Sequence, residues 1–149
     1  MTITIWRFCH EKHSEAAFQG EGFWSSGGRW HSRGTALVYA SATLSLAILE
    51  TFNNNVPREN LSKNFVFLKA QIPDRVLIQR LGKERLPGNW RDLPAPKSLA
   101  LMGDKWFSTH SSAVLQVPSA IIPHENNYLL NPKHSDFAEI KIYPPEAFI

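Results

Sequence analysis

Glycine and proline interrupt this chain so often that long helices are excluded over most of its length. The apolar runs left between the interruptions are of strand length. Five glycines fall between Phe18 and Gly34, and three prolines between Pro87 and Pro96. Neither stretch has a helical period. Both read as loops, the first with a short strand around Trp30. The runs Thr2–Phe8, Ala36–Ala40, Asn64–Ile72, Ala113–Val117, Asn126–Leu130 and Phe137–Tyr143 read as strands, several of them rich in β-branched and aromatic residues. Val76–Gln79 reads as the start of another short piece.

Two segments have the helical period instead. Ser41 stands as a candidate N-cap ahead of Thr43–Phe52, in which Leu44, Ala47, Ile48 and Thr51 recur at helical spacing. The polar stretch Asn53–Asn60 ends that helix. Ser98–His110 forms the second, with Leu99, Met102 and Trp106 on one face. Many short strands with two helices in mixed order predict an α+β fold, not regular βαβ alternation. No repeat or linker divides the 149 residues, so residues 1–149 are expected to form one domain with a core of its own.

Composition narrows the function classes. The net charge of +3 is only mildly basic, and the arginines are scattered from Arg7 to Arg91 without forming a run. An anionic small molecule or an acidic partner suits this balance; direct nucleic-acid binding does not follow from it. Cys9 is the one cysteine, so no disulfide can form within the chain, and it reads as a small buried hydrophobe in a cytoplasmic protein. No apolar stretch is long enough to span a membrane, and the start lacks the pattern of a signal peptide. Among the six histidines, His10 and His13 lie three apart, but no Cys or carboxylate set completes a tetrahedral site, and no metal is expected. GxGxxG, Walker and GxSxG signatures are absent.

The residues that carry chemistry concentrate between Gly20 and Glu50. Gly27-Gly28-Arg29-Trp30 places an arginine behind two glycines that let a backbone approach a ligand closely. Taken alone, it reads first as a turn with a solvent-facing Arg and a core Trp. Glu50 ends the apolar run SLAILE, where a carboxylate is expensive unless it is paired, used or at the wet edge of the stripe. Ser119 follows a strand in VPS, and Asn131-Pro132 starts a turn that Asn131 itself can fix.

Taken together, GGRWH at Gly27–His31, VYAS at Val38–Ser41, SLAILE at Ser45–Glu50, VPS at Val117–Ser119 and NYLLNPKH at Asn127–His134 resemble the RES domain, named for an Arg, a Glu and a Ser. WRF near the start, with Arg7, resembles the family's opening strand. The resemblance runs in order along nearly the whole chain. His31 stands where the family usually has Asn, and Asn53–Asp104 matches only in general character.

The resemblance implies an ADP-ribosyltransferase-like fold: two small packed β-sheets with flanking helices and a NAD⁺ cleft between the sheets. It implies the toxin of a type II toxin–antitoxin pair that degrades NAD⁺ at the nicotinamide–ribose bond, by hydrolysis or phosphorolysis. The alternatives are mono-ADP-ribosylation of a cellular protein and a non-catalytic binding module. NAD⁺ would be the substrate, and the partner an Xre-type helix-turn-helix antitoxin, with room for a homodimer within the complex. In this reading Arg29, Glu50 and Ser119 are catalytic. Glu50 would stabilise charge on the ribose and Arg29 would clamp phosphate. Tyr39 would stack on the nicotinamide or shape its pocket, and Ser119 would hydrogen-bond the ribose or the nicotinamide amide. Arg7 is a second candidate for phosphate.

Overall fold

The computed structural model describes residues 2–20, 27–53 and 63–149. Among these residues, eight strands and two α-helices make an α+β fold. The strands are β1 (Ile3–His10), β2 (Val38–Ser41), β3 (Phe65–Ile72), β4 (Ile78–Arg80), β5 (Val114–Pro118), β6 (Asn126–Leu130), β7 (Lys141–Ile142) and β8 (Glu146–Ala147). The helices are α1 (Leu44–Asn53) and α2 (Lys97–Thr109).

The hydrogen-bonded order is β4-β5-β6-β2-β1-β3-β7, with β8 also on β3. In place of two separate small sheets the described strands form one continuous mixed sheet, which divides into two halves at the β1–β2 pairing. One half is β4-β5-β6-β2 and the other is β1-β3 with β7 and β8. Among the described residues the halves are hydrogen-bonded to each other through the β1–β2 pairing, whose register position is Trp6↔Ser41. By contrast, β1 and β3 pair along eight positions, from Ile3↔Ile72 to His10↔Phe65.

Alternation along the strands sends side chains to two faces. Ile5, Val38, Ala40, Leu68, Ala70, Val114, Tyr128 and Leu130 share one apolar cluster that runs across both halves. On the other face the core is split. Leu37, Leu115, Val117 and Leu129 pack with Trp30, Trp90, Leu99 and Trp106, so α2 covers the β5-β6-β2 half. Phe8 and Ala47 pack with Trp6, Leu44, Ile48, Phe65, Phe67 and Phe148, so α1 covers the β1-β3 half. The notch between these two clusters lies over the one-residue joint of β1 and β2.

Four details depart from the reading of the sequence. Thr43, not Ser41, caps α1: the Leu46 N–H donates to Thr43 Oγ1 at 3.1 Å. Ser41 instead completes β2, opposite Asn127. The run Phe137–Tyr143 is not one strand. Ser135–Glu139 is a 3-10 turn, capped by His134 accepting from the Asp136 N–H, and only Lys141–Ile142 pairs. The edge strand β8 carries no strong apolar pattern and was not expected. Of the polar stretch Asn53–Asn60, Asn53 ends α1 and residues 54–60 lie outside the described residues.

Candidate active site

A cleft of about 490 Å³ opens at the joint between the half-sheets. That is within the range of about 300–1,000 Å³ usual for small-molecule sites. Trp6, Arg7 and Phe8 of β1 and Tyr39, Ala40 and Ser41 of β2 line it, with Ala47, Glu50 and Thr51 of α1. Gly27–Trp30, Leu93–Ala95, Ala120 and Asn127 complete the wall.

The turn at Gly27–His31 is built for close approach. Gly27 has φ +72°, a conformation that L side chains avoid. A Cβ on Gly28 would stand 2.9 Å from both the His31 ring and the Tyr39 hydroxyl. The Gly28 N–H closes the turn on the His31 carbonyl at 3.0 Å. Trp30 then drops into the core, 2 % exposed, and anchors the turn. α2 fits against this anchor only because Gly103 has no side chain, since a Cβ there would lie 1.7 Å from the Trp30 carbonyl oxygen. Asp104 holds the next residues by accepting from the Ser32 N–H (2.9 Å) and the Thr35 hydroxyl (3.0 Å).

Arg29 projects from that turn into the cleft. Its guanidinium donates to the Trp90 carbonyl at 2.8 Å and the Asp92 carbonyl at 3.1 Å, so it clasps the proline-rich loop that supplies Leu93–Ala95. Partial burial lowers its pKa; Glu50, Tyr39 and Asp92 oppose that shift by favouring the charged form. Arg7 is held from β1 by a donation to the Tyr39 carbonyl, and its guanidinium lies 6.0 Å from the centre of the Phe18 ring. Burial lowers its pKa too. Both arginines line the cleft, and their guanidinium chemistry suits an anion.

Tyr39 presents its ring to the cleft and turns its hydroxyl inward. The Trp30 N–H donates to that oxygen at 3.0 Å, and His31 Nδ1 stands 2.6 Å away. Burial raises the phenol pKa, so the group stays neutral at physiological pH. His31 is 1 % exposed and belongs to this support rather than to the cleft wall.

Glu50 accepts two hydrogen bonds on the same oxygen. Ser119 Oγ donates to Glu50 Oε2 at 2.9 Å and Asn127 Nδ2 donates to it at 2.6 Å. Ser119 is fully buried, and its hydroxyl also accepts from the N–H groups of Ile121 and Ile122, each at 3.1 Å. It therefore stands behind Glu50 and not on the cleft wall. Its hydroxyl donates to the carboxylate, which makes Ser119 a support for Glu50 here. Asn127, which the sequence reading left without a role, lines the cleft in its place. The remaining part of its motif lies elsewhere. Asn131 fixes the turn after β6 by accepting from the Lys133 N–H at 2.9 Å, and His134 holds the Asp136 N–H.

Of the predicted residues, Arg7, Arg29, Tyr39 and Glu50 thus share one cleft, with Ser119 one bond behind it. Cys9 is half-buried and burial raises its pKa, so it is no activated thiolate. Among the described residues no group of three or more His, Cys, Asp or Glu side chains is placed to hold a metal ion. No helix of the described residues is long and apolar enough to cross a membrane.

The RES domain family model matches residues 4–149. The chain belongs to the RES domain family. Toxin Res of Photorhabdus laumondii is 38 % identical to this RES domain over 136 residues, covering 91 % of this chain and 85 % of the relative. The Prs ADP-ribosylating toxin of a Sphingobium species is 35 % identical over 147 residues, covering 95 % and 89 %. In structure the RES domain is similar to a chain of the M. tuberculosis MbcT-MbcA toxin-antitoxin complex. The TM-score is 0.79 at 13 % identity, with 98 % of this chain and 84 % of that chain covered, a likeness of fold.

Proposed function

We propose that this RES domain is the toxin of a toxin–antitoxin pair and that its cleft cleaves the nicotinamide–ribose bond of NAD⁺. The observation that carries the reading is the Glu50 carboxylate, pinned on one oxygen by Ser119 and Asn127 inside a cleft that also holds Arg29. When the C1′–N bond breaks, its electron pair leaves with nicotinamide as a neutral base. Positive charge grows on the ribose, and a fixed carboxylate beside it lowers the barrier. Water or phosphate then bonds to C1′, the proton released from water passing to solvent. Arg29 and Arg7 supply donors for the pyrophosphate, and the Tyr39 ring offers a flat wall to the nicotinamide.

An antitoxin partner belongs to the same proposal, with an Xre-type helix-turn-helix protein as its expected form. Relatives bearing the name Toxin Res support the toxin role. The name of the Sphingobium relative favours a second reading in which a protein nucleophile replaces water at C1′.

Cellular NAD⁺ after brief induction, without any antitoxin, tests the proposal. A fast fall with the wild type and none with Glu50→Ala is expected. Growth arrest with intact NAD⁺ would move the reaction to protein ADP-ribosylation, seen as a labelled band with tagged NAD⁺. Neither arrest nor loss would leave a binding module.

A further inference from the structure

We infer that Asn127 is a positioning residue for Glu50: with Ser119 it ties down Oε2 and leaves Oε1 as the oxygen that meets the reacting ribose. The inference rests on the proposed cleavage of NAD⁺. Asn127 lies on β6 opposite Ser41 in register, at the floor of the cleft. A carboxylate only accepts, so the amide must turn Nδ2 to Glu50, and its other end, Oδ1, then needs a donor. The buried Ser41 hydroxyl donates to Asn127 Oδ1 at 2.8 Å, which turns Nδ2 toward Glu50. The 2.6 Å bond from Nδ2 then joins the 2.9 Å bond from Ser119 on the same oxygen.

Two donors from different strand ends converge on one atom at the carboxyl end of a long, otherwise mobile side chain. Such convergence fixes the torsion of the carboxylate, and a site pre-aimed in this way needs no reorganisation at the moment of reaction. Ser41 and Asn127 thereby form one arm, hydroxyl to amide, and Ser119 forms a second, both ending at Glu50 Oε2. Asn127 acts through Glu50, so its loss should lower kcat more than it raises KM.

The test uses Asn127→Asp and Asn127→Leu in the full chain. In Asn127→Asp two carboxylates replace the amide–carboxylate pair. Ionising both at this distance is disfavoured, so the pair holds a shared proton until the pH is high enough to remove it. Among the described residues, the other titratable groups lining the same cleft are Arg29, Arg7 and Tyr39. At low pH the shared proton restores a donor to Oε2; at high pH the pair repels and Glu50 is driven from its position. The expected result is a kcat down about a hundredfold near neutral pH for both variants, with KM within about threefold. The ratio of Asn127→Asp to wild-type kcat should climb as pH falls from about 8 to about 5, while Asn127→Leu stays flat. A flat ratio for both variants, or losses carried by KM, would overturn the inference.

Crystal structures of the wild type and Asn127→Leu give a readout that needs no substrate. One ordered Glu50 conformer in the wild type and several in the variant support positioning. An unchanged Glu50 in the variant overturns it, whatever the reaction proves to be. If the wild type leaves NAD⁺ intact, the proposed function falls and this second readout decides the positioning role by itself.

Discussion

The Ser119 hydroxyl donates to Glu50 Oε2 at 2.9 Å while accepting from the N–H groups of Ile121 and Ile122. One buried oxygen therefore does two things: it fixes the candidate catalytic carboxylate and it closes the turn after β5. Ser119→Ala removes both. Two N–H groups lose their acceptor, at about 1–3 kcal/mol for each that stays buried and unpaired. The expected outcome is a lower urea midpoint together with a fall in NAD⁺ turnover. A loss of turnover with an unchanged midpoint would mean that water replaces the hydroxyl in the turn.

Gly103 permits α2 to lie on the carbonyl of Trp30, and no side chain fits there. Gly103→Ala raises helix propensity on its own account, by about 1 kcal/mol at most. The clash outweighs that gain, because the nearest atom is backbone and the turn behind it carries Arg29. Overpacking of this kind costs about 1–3 kcal/mol or more. The variant should unfold at lower urea than the wild type and lose activity through displacement of the Gly27–His31 turn. A more stable Gly103→Ala protein would show that α2 can slide off Trp30 freely.

The sequence motifs and the cleft coincide for a physical reason. GGRWH, VYAS and SLAILE each end where the two half-sheets part, so Arg29, Tyr39 and Glu50 meet although their strands and helix differ. Polar residues within apolar runs were the legible signal, since such residues are kept only where they are paired or used. Long-range partners were not legible. Nothing in Pro87–Pro96 marks Trp90 and Asp92 as acceptors for Arg29, because they act through backbone carbonyls that every residue carries. Ser41 and Thr43 are equally good caps locally, and the choice between them is made by Asn127, far along the chain. FAEIKIY alternates like a strand, but the His134 side chain caps a 3-10 turn over its first half.

Tyr39 should leave a signature in the pH dependence of stability. Burial raises its pKa above the ordinary 10.0, and Tyr128 is shifted the same way by burial. In the unfolded chain these phenols ionise near 10.0, while in the folded protein they keep their protons. Their contribution is therefore intact below pH 10.0 and is lost as pH rises above it. Urea midpoints should fall across this alkaline range, and Tyr39→Phe should fall less steeply. Tyr39→Phe also removes the acceptor of the Trp30 N–H, so it should start from a lower midpoint at neutral pH. An equal alkaline slope in the variant would assign the effect to other groups.

Arg29 links the glycine turn to the proline-rich loop, and this makes Arg29→Lys a sharp substitution. A lysine keeps the charge but cannot donate along two fixed directions to the Trp90 and Asp92 carbonyls at once. If the arginine served only as a positive charge for phosphate, lysine would retain most of the activity. If it also clasps the loop, the variant should lose about tenfold or more in kcat/KM, and the amides of 87–96 should exchange hydrogen faster. Hydrogen exchange separates the two roles directly, because a charge alone does not protect a loop. Fast exchange at 87–96 in Arg29→Lys, with the strands unchanged, is the expected outcome; wild-type protection there would reduce Arg29 to its charge.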